Sequence, residues 1–392
     1  MKKLLSLLLT AVLLAAMFTV FALPASAEEI ISGDYKYTVN KDGTATITRY
    51  TGSGGEITIP ETLDEYKVTA IGNDAFSNNK SLTKVTILEN INRIDNNAFK
   101  GCSGMTTLTI SEGVKSIGTC AFQGCKKLAT VTIPKSVESI GNLAFDGCKG
   151  LTTVTIPTSV SSIGNYAFQD CGQMKTLTIF EGVKSIGEYA FRGCGALKTV
   201  TIPTSVSSIG NYAFQDCGQM KTLTISKGVN SIGASAFQDC KGLTTVTIPE
   251  GVKSIGASAF QDCEHLATVT IPESVESIGD NAFSGCSADL VIRVQSNRVA
   301  EEYAKKHSIV FVENGQCKHY GQHFTCDACH QSVTKSDLLK AWGSTGTGST
   351  LSEGSLTIIC SVACLAVGFL AAMFIFKKKK PALAGGENTD EE

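Results

Sequence analysis

The sequence predicts a β-rich α/β solenoid of stacked 23-residue units with parallel strands and short helical turns, followed by one C-terminal transmembrane helix. A Phe recurs every 23 residues, a Cys follows it at the same period, and an uncharged apolar stretch lies near the C-terminus. Self-similarity at a period of about 20 to 50 residues is the signature of a repeat architecture. The periodic residues are Phe76, Phe99, Phe122, Phe145, Phe168, Phe191, Phe214, Phe237, Phe260, Phe283, Cys102, Cys125, Cys148, Cys171, Cys194, Cys217, Cys240, Cys263 and Cys286.

One unit, Leu151–Gln173, reads LTTVTIPTSVSSIGNYAFQDCGQ and indicates how a turn is built. Apolar and Thr residues alternate from Leu151 to Ile156, which is the period-2 pattern of a strand with one buried face. Pro157 ends this strand because it has no N–H to donate, and Gly164 permits a corner. We expect Tyr166–Cys171 to form one short helical turn, since its Ala, Phe and Cys have the spacings of one helix face.

Nine units follow this template between Leu82 and Ala288, and Thr153–Ile179 recurs unchanged as Thr199–Ile225. The exact recurrence indicates a recent duplication of a two-unit block. A single unit cannot bury its apolar side chains alone, whereas stacked units can. Stacking places parallel strands about 4.8 Å apart, so equivalent residues should form columns along the solenoid.

The pattern LxxVTIPxSVxSIGxxAFxxC resembles the BspA-like leucine-rich repeats of bacterial surface proteins, over roughly residues 28–313. The resemblance implies a right-handed, curved leucine-rich-repeat solenoid with its Thr-bearing strands on the concave side. It also implies binding to host proteins or to partner cells, without naming a ligand.

Both ends of the chain carry targeting features. An apolar stretch that ends in an Ala-x-Ala motif at Ala27 indicates a secretory signal peptide. Residues 356–376 are long and apolar enough to span a bilayer, and the Lys residues at 377–380 predict a cytoplasmic C-terminus. The predicted segments are the signal peptide 1–27, an N-terminal β cap and first turn 28–81, nine repeats 82–288, a C-terminal cap 289–313, a Cys/His knuckle 314–335, a Gly/Ser/Thr linker 336–355, the transmembrane helix 356–376 and the cytoplasmic tail 377–392.

Charge and location restrict the partners. The formal net charge of −2 gives no basic footprint, so nucleic acid is not expected as a partner. We expect a single-pass cell-membrane protein whose extracellular part binds a protein, a glycan or the surface of a partner cell. Small residues spaced four apart on one face of the span would also allow a weak homodimer through the transmembrane helix. These residues are Cys360, Cys364, Gly368 and Ala372.

The repeated Cys residues have two interpretations. Stacked turns bring neighbouring Cα atoms into the disulfide range of about 4.4–6.8 Å. Nine is an odd number, however, and stacked identical side chains point the same way, so buried free thiols are favoured. Cys120 lies outside this column, at the position that Tyr166 holds in its own unit, and we expect it to be more exposed.

Two columns of Thr on the outer side of the strands form the candidate ligand-binding face. Thr is a good strand residue in any case. Such hydroxyl arrays also resemble the ice-binding faces of β-solenoid antifreeze proteins, although curvature would spoil a lattice match. Specificity is expected where the period breaks, at Phe180, Lys227, His265, Arg293 and the 64–66 insertion. The candidate residues are Thr107, Thr109, Thr130, Thr132, Thr153, Thr155, Thr176, Thr178, Thr199, Thr201, Thr222, Thr224, Thr245, Thr247, Thr268 and Thr270.

The Cys/His knuckle is the candidate metal site. Cys317, Cys326, Cys329 and a His, with His319 the first choice, would supply four ligands to a tetrahedral structural zinc. The segment resembles the Cys/His knuckle appended to some bacterial surface proteins. A disulfide is the rival outside the cell, and the CxxCH pattern also matches a haem-attachment motif, here without a haem-sized domain. No cofactor is otherwise required.

The function expected from the sequence is adhesion or ligand capture at a bacterial surface. A structural surface-layer or spacer role is the alternative, and a Thr-array ice or glycan binder is a further one. An enzyme is not expected, because the residues that break the period do not include a Ser–His–Asp set, paired carboxylates or a phosphate loop.

Overall fold

Each unit contributes two strands, and each strand pairs in parallel with the equivalent strand of the neighbouring units. The two resulting sheets form the walls of a solenoid. The computed structural model describes residues 28–314, 316–318, 323–326 and 331–334, the last three segments by their backbone. Equivalent strands pair at an offset of 23 residues, with Thr153 opposite Thr176 and Ser162 opposite Ser185. The predicted solenoid of parallel strands and 23-residue units is therefore confirmed.

The strands are numbered in chain order. The N-terminal cap contains β1 Ile30–Ser32, β2 Tyr35–Val39, β3 Ala45–Tyr50, β4 Gly55–Thr58, β5 Thr62–Leu63 and β6 Tyr66–Ile71. The units then contribute β7 Leu82–Ile87, β8 Arg93–Ile94, β9 Thr107–Ile110, β10 Ser116–Ile117, β11 Thr130–Val131, β12 Ser139–Ile140, β13 Thr153–Ile156, β14 Ser162–Ile163, β15 Thr176–Ile179, β16 Ser185–Ile186, β17 Thr199–Ile202, β18 Ser208–Ile209, β19 Thr222–Ile225, β20 Ser231–Ile232, β21 Thr245–Thr247, β22 Ser254–Ile255, β23 Thr268–Thr270 and β24 Ser277–Ile278. The C-terminal end has β25 Val291–Val294, α1 Arg298–Lys306, β26 Val310–Glu313, β27 Gln316–Lys318, β28 His323–Cys326 and β29 Gln331–Thr334.

The odd-numbered strands β7–β23 form the Thr sheet, and the even-numbered strands β8–β24 form the Ser sheet. The Ser sheet is continuous and extends through β6 and β3 into the antiparallel strands β2 and β1. This sheet was not predicted from the sequence, because a two-residue strand is too short to show an alternating pattern. Ile163 is buried and Ser162 is partly exposed, so one residue of each short strand serves the core.

The Gly that follows each short strand from β10 to β24 is required by close packing between turns. A Cβ at Gly164 would lie 2.6 Å from the carbonyl carbon of Gly141 in the preceding turn, a distance that real Cβ atoms do not show. The sequence pattern located this corner correctly. Its physical cause is the approach of two backbones, since this Gly does not have a positive φ angle.

The segment between the Ser sheet and the Cys is not a helical turn, so that prediction was wrong. The Ala167 N–H donates to Gly164 O three residues earlier, at 3.3 Å, but the Phe168 N–H donates to Ala190 O in the next turn, at 2.8 Å. A helix needs successive N–H groups to bond within the same segment. Here alternate N–H groups cross between turns, and Tyr166 has a left-handed φ of 60°.

The core of the solenoid contains a column of stacked Phe rings. From Phe76 to Phe283, neighbouring ring centroids lie 4.7–5.6 Å apart and the planes differ by 3–14°. The rings are at most 3% exposed. Tyr50 stacks on Phe76 at one end, at 5.1 Å, and Tyr303 contacts the edge of Phe283 at the other, at 5.8 Å.

The C-terminal cap covers the last turn with the helix α1. Asn297 caps this helix, because its Oδ1 accepts the Ala300 N–H at 2.9 Å. Strand β25 continues the Thr sheet, β26 pairs with β25 in parallel, and β27 pairs with β26 antiparallel. Within the described chain no helix has the length and apolarity to cross a bilayer, and the predicted span 356–376 lies outside the described residues, as do 1–27, 336–355 and 377–392.

We predict that Phe168→Ala lowers the free energy of unfolding by roughly 3–5 kcal/mol, the usual cost of truncating a buried aromatic side chain. Chemical denaturation of the purified protein measures it. Phe180→Ala is the matched control, because Phe180 is 49% exposed. An equal loss in both variants would contradict the assignment of Phe168 to the core.

Candidate binding face

The predicted Thr columns form two outward rows on the Thr sheet. Fifteen of the sixteen residues lie within its strands, and Thr132 directly follows β11. Twelve are exposed, while Thr155, Thr178, Thr268 and Thr270 are partly exposed. Within each paired stretch the rows are in register, since Thr153 and Thr155 lie opposite Thr176 and Thr178. The strands therefore present hydroxyl and methyl groups to one side.

The Thr sheet is not continuous. Together with β4 at one end and β25, β26 and β27 at the other, its strands form three runs. The first contains β4, β7, β9, β11, β13 and β15, the second β17 and β19, and the third β21, β23, β25, β26 and β27. Within the described residues no ladder joins β15 to β17 or β19 to β21. The breaks are 46 residues apart and follow the two copies of the duplicated block. Leu177 and Ile179, beside the first break, are each 8% exposed, whereas the equivalent Val154 and Ile156 are fully buried. The hydroxyl rows are thus not one uniform lattice.

A carboxylate clasp crosses the first break. Glu181 accepts the backbone N–H groups of Thr204 at 3.1 Å and Ser205 at 2.9 Å in the next turn. In return, Ser205 Oγ accepts the Gly182 N–H at 3.0 Å. Hydrogen bonding, led by the Thr204 N–H, lowers the pKa of the Glu181 carboxyl. The clasp joins two turns whose strands lack a ladder.

The same clasp occurs between β9 and β11, where the ladder is short. Glu112 accepts the N–H groups of Lys135 at 3.1 Å and Ser136 at 2.9 Å. At the second break the equivalent residue is Lys227, which cannot accept such bonds. The clasp was not predicted from the sequence; Glu-Gly-Val occurs at both clasps, at 112–114 and 181–183, but also at 250–252, where the clasp is absent.

Phe180 is the one large hydrophobic residue of the described repeat units that is strongly exposed, at 49%. It directly follows β15, where the adjacent turns have the buried residues Pro157 and Pro203. The prediction that specificity resides here stays a prediction. The structure gives Phe180 the accessibility that a contact residue needs.

The Cys column consists of free thiols in the structure. Each Sγ lies 3.1–3.4 Å from the carbonyl oxygen of the Phe 26 residues earlier, to which it donates. The thiols therefore point along one direction and not at each other. Burial raises their pKa values, that of Cys102 to about 12. Cys120 is 9% exposed, more than the fully buried Cys102 to Cys263, but still buried.

Three Tyr side chains form a stacked ladder that was not predicted from the sequence. Tyr166, Tyr189 and Tyr212 stack with ring centroids 4.6 and 4.5 Å apart, and the Arg192 guanidinium lies 5.8 Å from the Tyr189 centroid. All three have φ between 57° and 60°, a strained conformation for an aromatic residue. Their 23-residue spacing was the signal that could have revealed the ladder.

The predicted zinc ligands are only partly located. Cys317 lies in β27 opposite Val312, and Cys326 ends β28 opposite Gln331. Hence the Cys326-x-x-Cys329 motif begins at the last residue of β28. His319 and Cys329 lie outside the described residues. Among the residues that are described, no group of three or more His, Cys, Asp or Glu is arranged to hold a metal ion.

Two parallel sheets on a 23-residue period, a stacked Phe core and an open hydroxyl face define a repeat protein of the leucine-rich class. The family described as "BspA type Leucine rich repeat region" matches residues 50–175 and 161–289. The chain belongs to this family, which confirms the resemblance seen in the sequence. Among curated proteins none matches the chain.

Solved structures with similarity to the chain come from several bacteria. A leucine-rich cell surface protein of Faecalibacterium prausnitzii is 28% identical, with 71% of this chain and 98% of that one covered and a TM-score of 0.43. A leucine-rich repeat protein of T. pallidum is 25% identical, with 55% and 91% covered and a TM-score of 0.43. One from Bacteroides ovatus is 24% identical, with 70% and 96% covered and a TM-score of 0.37. The family assignment rests on the repeat match alone.

We predict that Glu181→Gln destabilises the protein at pH 7 and that the difference from wild type shrinks as the pH falls. The folded pKa of Glu181 is lowered, so its stabilisation is present above the unfolded value of about 4.3 and is lost as the pH falls through the folded value. Thermal midpoints between pH 3 and pH 7 measure the effect. Glu250→Gln is the matched control, because Glu250 has the equivalent position without the clasp. A constant difference across this pH range would contradict the clasp.

Proposed function

We propose that the protein binds an extended extracellular partner along the Thr sheet, at the surface of a bacterium. The observation that carries this proposal is the pair of outward Thr rows, sixteen residues of which twelve are exposed. The rows run across successive turns, and β9, β13, β15, β17 and β19 each present Thr-x-Thr. A regular partner can meet the same chemical groups at every turn.

The face favours many weak contacts over one strong contact. Tight, discrete interfaces depend on Trp, Tyr and Arg anchors in desolvated pockets. The Thr rows contain none of these residues, and Phe180 is one exposed aromatic at their border. Affinity would then come from multivalency, in which each further unit raises the effective concentration of the next contact.

The proposal includes the location expected from the sequence. A signal peptide at 1–27 would direct export, the span at 356–376 would anchor the chain, and the Gly/Ser/Thr linker at 336–355 would hold the solenoid away from the membrane. Zinc bound by Cys317, His319, Cys326 and Cys329 would stiffen the join between cap and linker. The partner would be a protein, a glycan or another cell.

We predict that deleting residues 153–198 weakens partner binding and that inserting a second copy of this segment strengthens it. Both changes are seamless, because Thr152 is followed by the same sequence at Thr153 and at Thr199. They keep the register and both caps; besides the number of units, they change the number of copies of Phe180, Glu181 and two lysines that lie within the segment, Lys175 and Lys198. Binding of each variant to partners captured from host matrix, glycan and bacterial preparations is the measurement.

Unfolding transitions of the same variants provide the control, since each must still unfold cooperatively. Binding that follows unit number supports a multivalent face. Undiminished binding by a protein reduced to its two caps would contradict the proposal and would assign the repeats a spacer role.

A further inference from the structure

Three lysines occupy the same position in consecutive turns, beside the Thr rows. Lys175, Lys198 and Lys221 each immediately precede a strand of the Thr sheet, β15, β17 and β19, and all three are exposed. The Lys221 N–H donates to Lys198 O at 2.8 Å, which places these two residues side by side. Lys175 has the equivalent position one turn earlier, on the other side of the break between β15 and β17. Other turns have uncharged residues at this position, Thr83, Thr106, Ala129, Thr152, Thr244 and Ala267.

No carboxylate of the described residues pairs with these three lysines. Other lysines of the solenoid do have partners: Lys115 with Glu138 at 3.6 Å, and Lys253 with Glu276 at 2.7 Å. The lysine row therefore concentrates like charges within a screening length of about 8 Å at physiological salt, and they repel one another. A bound anion would relieve this repulsion.

The turns around the row also carry an excess of positive charge. Between residues 174 and 227 there are six basic and three acidic side chains, whereas the whole chain has a net charge of −2. One of the three acids, Glu181, is held in the clasp to the next turn, and another, Asp216, pairs with Arg192 at 3.4 Å. The local field thus favours an anionic partner.

We propose that the lysine row, with the Thr hydroxyls beside it, binds an anionic polysaccharide that bears sulfate or carboxylate groups. This inference rests on the proposed role of the Thr sheet as the binding face, and it names the chemical class of the ligand. Each ammonium group contacts one acidic group of the polymer. Thr176, Thr199 and Thr222 exchange hydrogen bonds with sugar hydroxyls next to these contacts.

The residue types favour a polysaccharide over other polyanions. Lys is a compact point charge that tolerates varied geometry, whereas planar, bidentate recognition of a fixed partner uses Arg. Single-stranded nucleic acid needs a series of aromatic platforms for its bases, and this face has only Phe180. An acidic protein would be expected to meet aromatic or Arg anchors. Rows of hydroxyls and regular single charges match a repetitive, hydroxylated, charged chain.

The test uses the full-length protein with dextran sulfate as the probe and uncharged dextran as its reference. In the test variant, Lys175, Lys198 and Lys221 are all replaced by Thr, the residue that other turns have at this position. We expect binding of dextran sulfate to weaken roughly tenfold or more, because three exposed ion pairs, each worth up to about fivefold, are removed. A variant with Arg at all three positions should keep its affinity within about threefold, since the charge remains.

The matched control removes the same number of charges from the other sheet. Lys115, Lys184 and Lys253 precede strands of the Ser sheet and are replaced by Ser, which Ser161 and Ser207 show to be accepted there. This variant should bind dextran sulfate within about twofold of wild type, because it keeps the lysine row. Equal losses in the two triple variants would overturn the inference, since net charge alone would then explain binding.

Other results would also overturn it. These are absence of dextran sulfate binding by the wild type, and stronger lysine-dependent binding of polyglutamate or single-stranded DNA at equal charge. Neither result decides whether the Thr sheet is a multivalent face. That question is tested separately, by measuring how captured partners bind the variants in which residues 153–198 are deleted or duplicated. If those partners bind the Lys-to-Thr variant normally, the proposed function stands while the polysaccharide assignment fails.

Discussion

The hydrogen bond from one turn to the next is the constraint on which the rest of this structure depends. In the segment Tyr166–Cys171 and its equivalents, alternate N–H groups, such as that of Phe168, donate to the following turn. In both sheets the strands bond to neighbouring turns through parallel pairing. Each residue therefore has its own equivalent, 23 positions away, as a neighbour. Identical side chains must tolerate stacking on themselves. Flat rings, small residues and thiols do so, which is why Phe, Gly and Cys form columns.

The sequence predicted the parts of the fold that depend on period and alternation. Apolar and polar residues alternate from Leu151 to Ile156, as they should in a strand. The 23-residue period then predicted which strand pairs with it. The helical turn at Tyr166–Cys171 was wrong because the spacing of Ala, Phe and Cys on one face is satisfied equally by a segment that bonds to its neighbouring turns. The Ser sheet was missed because Ser162–Ile163 leaves no pattern of its own.

The candidate face was predictable in outline only. Alternation alone places Thr153 and Thr155 outward, so the two rows were accessible to sequence reasoning. The breaks in the ladder could not be predicted from the sequence, since β15 and β17 have ordinary strand sequences. Whether two such strands form a ladder depends on how their turns pack against each other. Glu181 shows the same limit, because its role requires two N–H groups of the next turn to converge on one carboxylate. The repeated residues predict the structure of a typical turn. The features that distinguish one turn from another depend on residues that depart from the repeat.

The free thiols have a consequence for how such a chain can change in length. A disulfide framework pairs particular cysteines, so removing or adding a unit would leave one without its partner. Here each thiol is satisfied by a carbonyl group of its own stack, and any number of units satisfies the same rule. Unequal recombination between the two identical blocks would therefore yield shorter or longer proteins that fold as the parent does. Unit number can then vary between lineages, and with it the reach and binding strength of the protein.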